Sequence, residues 1–121
     1  MTTPLPPGWP TVIPRIINAE VEAIVTFIKQ TFDATGELQE HGPTVLDIGG
    51  AKLMVSGTEL RERFATCLYV YVSDVDNVFK RAVNAGAKVI EEPQQMPYGD
   101  RRGMVKDLWG NVWQIATHQA R

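Results

Sequence analysis

The stretch Tyr98-Gly99-Asp100-Arg101-Arg102-Gly103-Met104-Val105-Lys106-Asp107-Leu108-Trp109-Gly110-Asn111-Val112-Trp113-Gln114-Ile115-Ala116-Thr117-His118 decides how the chain is read. Arg102 to Asp107 and Val112 to Thr117 are extended, β-prone runs, and Leu108 to Asn111 is a turn with glycine and asparagine where the backbone must bend back. The spacing predicts a closing hairpin. Trp113 and Ile115 fall on one face of its last strand, Gln114 and Ala116 on the other.

Upstream of the hairpin, Thr66 to Val72 predicts a strand with Leu68, Val70 and Val72 on one face and Cys67, Tyr69 and Tyr71 on the other. Ser73 with Asp76 three residues on reads as a capping box. Val75, Val78, Phe79, Ala82 and Val83 form one helical face, and Gly86 stops that helix. Lys88 to Glu92 is extended up to Pro93. The first half repeats the pattern. Thr11 to Ile17 is β-rich, Asn18 is placed to cap a helix over Ala19 to Phe32, and Gly49-Gly50 joins strands at Thr44 to Ile48 and Ala51 to Ser56. Two halves of strand, helix and three strands are expected. The organisation is residues 1–10 as an extended, proline-rich lead-in and residues 11–118 as one domain: a first module over 11–57, a linker over 58–65 and a second module over 66–118.

The closing stretch, Val72-Ser73-Asp74-Val75-Asp76 with Ala85-Gly86-Ala87, and the placing of Phe27, Lys29, Phe32 and Ala34 together resemble the vicinal-oxygen-chelate superfamily of glyoxalases, bleomycin resistance proteins and dioxygenases, and most of all its PhnB-like branch. Leu108 departs from that branch, where proline is usual. The resemblance implies an α+β fold of paired βαβββ modules, whose curved sheets form a cleft often completed by a second subunit.

It also implies a divalent metal held by His, Gln or Glu from four strands, acting as a Lewis acid or oxygen-activating centre. At those slots Thr11 to Ile17 and Ala51 to Ser56 offer no such residue, and Glu59 lies beyond Gly57. The fifth strand offers Cys67 and Tyr69 and the last offers Gln114. One amide and one thiol are a poor set for a hard cation. His41 falls in a loop and His118 near the end. The expectation is a cleft without metal or other cofactor, lined by Cys67, Tyr69, Tyr71, Tyr98, Arg102, Trp109 and Gln114.

Each of these has a plainer reading. Cys67 has no base placed beside it and reads as an inert thiol. Asp100 and Arg101 read as structural, the carboxylate bonding backbone N–H groups and one arginine. Trp113 reads as core, whereas Trp109 on the turn is placed to reach the cleft mouth. Glu59 to Arg63 reads as a solvated linker.

Composition narrows the function. The 121 residues carry a formal net charge of -2, with 44% hydrophobic and 21% charged residues. That balance gives no field for nucleic acid or an anionic membrane. No apolar run reaches the ~18 residues of a membrane span, and residues 1–10 lack the basic start and apolar run of a signal peptide. One cysteine allows no intramolecular disulfide, which fits a reducing cytoplasm. The function expected is a homodimeric, metal-free binding protein holding a small hydrophobic or aromatic ligand in a dimer cleft. The alternatives are a metal-independent isomerase or lyase of the same fold, and a divalent-metal-dependent enzyme of the glyoxalase or dioxygenase type.

Overall fold

The computed structural model describes residues 4–119, so the first three residues of the lead-in lie outside the described residues. The elements in chain order are β1 (Arg15–Ile17), α1 (Val21–Phe32), β2 (Thr44–Ile48), β3 (Ala51–Ser56), β4 (Cys67–Tyr71), α2 (Val75–Asn84), β5 (Lys88–Gln95), β6 (Asp100–Lys106) and β7 (Val112–His118). They form a mixed α+β fold with a three-stranded sheet ordered β1-β3-β2 and a four-stranded sheet ordered β4-β7-β6-β5. In each sheet the strand before the helix lies parallel to the last strand of its half: β1 on β3 and β4 on β7. The second half has the full β-α-β-β-β order. In the first, an isolated bridge between Thr35 and Asp47 stands where one of the three strands after the helix was expected.

The core lies between the helices and one face of each sheet. Ile16, Leu46, Leu53 and Val55 come from the first sheet and Val105, Trp113 and Ile115 from the second. Ile24, Phe27 and Ile28 of α1 and Val75, Val78, Phe79 and Ala82 of α2 complete it. Trp113 joins the halves. It is fully buried, with Phe27 and Phe32 of α1 at ring centroid distances of 6.3 and 5.1 Å. No helix is long and apolar enough to cross a membrane among the described residues.

Three local expectations are corrected. α2 is capped by Asp74, whose Oδ1 accepts from the Asn77 backbone N–H at 3.2 Å, and not by Ser73; Asp76 instead binds Arg101. Asn18 accepts from the Glu20 N–H at 2.9 Å, turning the chain just before α1 without capping it. Pro93 does not end its strand, because β5 is an edge strand and its register shifts between Glu91 and Gln94; an edge or bulge position tolerates a missing N–H. Across from it, Gly103 lets β6 approach α2, since a Cβ there would meet the Phe79 ring at 2.7 Å.

The turn between β6 and β7 is built around the buried carboxylate of Asp107. Its Oδ1 accepts from the backbone N–H groups of Trp109 and Asn111, and its Oδ2 from Asn111 Nδ2 and Trp113 Nε1, all at 2.9 Å. Asn111 Oδ1 in turn accepts from the Thr66 N–H at 3.0 Å, tying the start of β4 to the turn. Four donors on one carboxylate satisfy a group that would otherwise be costly to bury.

Candidate functional site

Strand alternation splits β4 as its sequence predicts: Leu68 and Val70 are half-buried, while Cys67, Tyr69 and Tyr71 are exposed. In register, Tyr69 lies opposite Gln114 and Tyr71 opposite Ala116 on β7, and Ala116 lies opposite Arg102 on β6. Only a methyl group stands at Ala116, which leaves room for the two phenols to reach across β7. Both reach Asp100, the first residue of β6. Tyr69 Oη donates to Asp100 Oδ2 at 2.6 Å and Tyr71 Oη to the same atom at 2.8 Å. The other oxygen, Oδ1, lies 2.8 Å from His118 Nδ1, across the Asp100–His118 register pair. Tyr98 Oη is 3.5 Å from Tyr69 Oη.

Asp100 is 1% exposed. Hydrogen bonds from Tyr69, His118 and Tyr71 hold its carboxyl below the usual carboxylate range against the opposing effect of burial. Tyr69 is pushed far up, first by desolvation and then by its bonds to Asp100 and Tyr98. Tyr71 is raised, chiefly by its bond to Asp100. The cluster is thus an ionised carboxylate held by neutral phenols, and neither lysine nor arginine is bonded to it.

The tyrosines border a groove of about 580 Å³ that runs along the free edge of β4. Because the strand borders it edge-on, consecutive residues of β4 line it: Leu68 and Val70 as well as Tyr69 and Tyr71. Phe32 of α1 and Leu53 of β3 form the facing wall, and Pro10, Val12 and Pro14 of the lead-in line one side. The cations at its margin are engaged. Arg81 donates to the Thr31 carbonyl at 3.1 and 2.9 Å and lies 3.6 Å from Asp33; Lys52 lies 3.1 Å from Asp47. A mostly apolar concavity with a few polar groups at one end is the form of small-molecule sites.

Of the residues expected to line a cleft, Tyr69 and Tyr71 line this groove. Tyr98 is joined to them through its hydroxyl. Gln114 and Arg102 share their sheet face, Gln114 directly beside Tyr69 and Arg102 bonded to Glu91 at 2.8 Å. Cys67 is exposed at the start of β4, opposite Val112. Trp109 turns away from the expected cleft mouth: its ring packs edge-on to Phe27 at 6.0 Å, among the core residues. The plainer reading of Asp100 is also corrected. It bonds phenols and an imidazole, while Arg101 forms a two-bond pair with Asp76 on α2. Sequence reasoning missed Asp100 as the partner of the tyrosines and His118 as the partner of Asp100. The Tyr-x-Tyr spacing signals a shared face, but the partner depends on register across three strands.

A bound divalent metal needs several ligands converging on one point. Among the described residues no three His, Cys, Asp or Glu side chains converge as ligands. On the tyrosine face both Asp100 oxygens are engaged and Glu91 is bonded to Arg102, which leaves the Gln114 amide, the Cys67 thiol and the Nε2 of His118, whose Nδ1 faces Asp100. That set does not fit a hard divalent cation.

Two helix-backed sheets with a groove on a free strand edge define a small α+β protein of glyoxalase-like architecture. The chain belongs to the Glyoxalase/Bleomycin resistance protein/Dioxygenase superfamily, whose profile matches residues 15–115. An uncharacterized protein of Mycobacterium tuberculosis is 28% identical over 125 residues, covering 88% of this chain and 73% of its own. Among solved structures, TioX from Micromonospora sp. ML1 is 26% identical with a TM-score of 0.75, covering 88% of this chain and 97% of its own. A glyoxalase/bleomycin resistance protein/dioxygenase family enzyme from Burkholderia phytofirmans PsJN is similar in fold, with a TM-score of 0.77 at 20% identity over 88% of this chain and 96% of its own.

Proposed function

We propose that this chain is a metal-free small-molecule binding protein of the superfamily, in its PhnB-like branch, and that it holds a small hydrophobic or aromatic ligand in the groove beside β4. The observation that carries this reading is the apolar groove of about 580 Å³ ending at tyrosines whose hydroxyls are fixed by Asp100. That volume falls within the roughly 300–1,000 Å³ of ordinary ligand pockets. Fixed phenol rings are pre-organised walls, and stacking on such a ring adds about 0.5–1.5 kcal/mol beyond burial. The donor set on the tyrosine face, poor for a hard cation, supports a role without metal.

We also place the protein in the cytoplasm as a homodimer, with neither nucleic acid nor membrane as partner. The uncovered edge of β4, next to the exposed Tyr71, supports a second copy closing the groove. Light scattering of the eluting protein at micromolar concentration checks the dimer.

The test of the binding reading is a thermal-shift screen against small aromatic compounds, followed by recovery of each hit. A raised melting temperature with the compound recovered unchanged, and abolished by Val70→Arg, is the expected result. A hit recovered as a different compound identifies an isomerase or lyase instead. Hits that survive Val70→Arg place the site elsewhere.

A further inference from the structure

Pro10, Val12 and Pro14 line one side of the groove, and all three precede the span shared with the superfamily. Proline fixes φ at its own position and keeps the residue before it extended, so Trp9-Pro10 and Ile13-Pro14 are stiff by sequence. Along an extended chain alternate residues share a side. That turns Pro10, Val12 and Pro14 toward the groove, with Thr11 exposed between them. The span is tied at its two ends. At one, the Pro14 carbonyl accepts from the Met54 N–H of β3 at 3.0 Å. At the other, the Trp9 N–H donates to the Pro6 carbonyl at 3.1 Å, and the Trp9 ring centroid lies 5.8 Å from Lys52 Nζ, a cation held at the groove's margin by Asp47. Among the described residues, Thr11, Val12 and Ile13 between these ties make no backbone hydrogen bond. Val12 is 77% exposed although it lines the groove. An apolar side chain left open beside an apolar concavity gains burial only when something fills that concavity.

We infer that residues 9–14 form a strap over the groove, with Val12 as a ligand contact and Trp9 as the latch on Lys52; this rests on the groove being the ligand site. A stiff strap loses little conformational freedom when it closes on a ligand. A single cation–π contact at the surface is weak enough to open and re-form. Trp9 does not itself line the groove, so it acts as a positioning residue.

The probe is N-phenyl-1-naphthylamine, a neutral aromatic whose fluorescence rises on leaving water. It is titrated into the full chain, and its release is followed by stopped-flow dilution. Val12→Asp should weaken its binding about tenfold. Val12→Leu should hold or tighten it. Neither should move the ligand-free melting temperature, because the side chain is exposed. Trp9→Ala should speed release about threefold. Probe affinity unchanged in Val12→Asp, while Val70→Arg abolishes it, overturns the strap and leaves the groove reading standing. A loss in Val12→Asp that comes with a changed mass in light scattering also overturns it, because Val12 then lies between copies of the chain. No binding to the native protein, or binding that survives Val70→Arg, counts against groove and strap together.

Discussion

Tyr69 and Asp100, 31 residues apart in sequence, are joined by a 2.6 Å hydrogen bond from the phenol to a buried carboxylate. The bond crosses β7 and locks the face of the second sheet on which the proposed site depends. It also raises the phenol and lowers the carboxyl, so its presence is readable by titration.

The chain has three tyrosines. Two of them, Tyr69 and Tyr71, favour the neutral phenol in the folded state. Absorbance at 245 nm between about pH 9 and 11 should show Tyr69 and Tyr71 resisting ionisation beyond the ordinary phenol value of about 10. In Asp100→Asn the Tyr71 step moves back toward the ordinary range, since Asp100 is its chief perturbant. Tyr69 and Tyr71 titrating in the ordinary phenol range in the native protein would show that the network is not formed in solution.

Asp100 gives the opposite limb. Its folded-state carboxyl titrates below the unfolded value of 3.8, so the ionised form is favoured in the fold. The stability it contributes is fully present above that unfolded value and disappears as pH falls through the lower, folded one. Melting temperatures of the native protein and Asp100→Asn, compared from pH 7 to pH 2, should therefore differ most at neutral pH and converge in acid. A gap that stays constant with pH contradicts the assignment.

How much of this the sequence carried depends on the kind of interaction. The 2.0 and 3.6 periodicities placed β2, β3 and the buried face of both helices, because burial acts on each segment separately. The Val112 to Thr117 run correctly put Trp113 on the core side. Ser73 was misread as a cap because Asp74, one residue on, competes for the same role, and nothing local decides between them. Pro93 was misread because its tolerance depends on β5 lying at a sheet edge. Asp100 and His118 become partners only when β6 pairs with β7 in one register. Trp109 was aimed outward on the strength of its turn, whereas Phe27, 82 positions earlier, draws it into the core.

Trp113 couples packing and polarity. It is fully buried between the halves and donates its indole N–H to Asp107. Trp113→Ala should lower stability by about 3–5 kcal/mol through the cavity it leaves, with additional loss from the donor missing at Asp107. Trp113→Phe should recover much of the packing but leave Asp107 Oδ2 short of a donor, at a cost of about 1–3 kcal/mol. Urea denaturation of both variants checks this. Near-native stability of the alanine variant contradicts the core role.

Gln114 stands beside Tyr69 in register and no core contact requires its amide. Gln114→Ala should weaken binding of any compound found by the thermal-shift screen while the ligand-free melting temperature changes little. A large drop in that melting temperature would make Gln114 a structural residue.

The most direct test of the central claim is to measure one groove ligand twice by calorimetry, once on protein stripped with a strong chelator and once with added zinc, manganese or iron(II). The apolar groove and its tyrosine end predict the same affinity in both, with ligand recovered intact. Affinity that collapses on chelation and returns with one of those ions would contradict it.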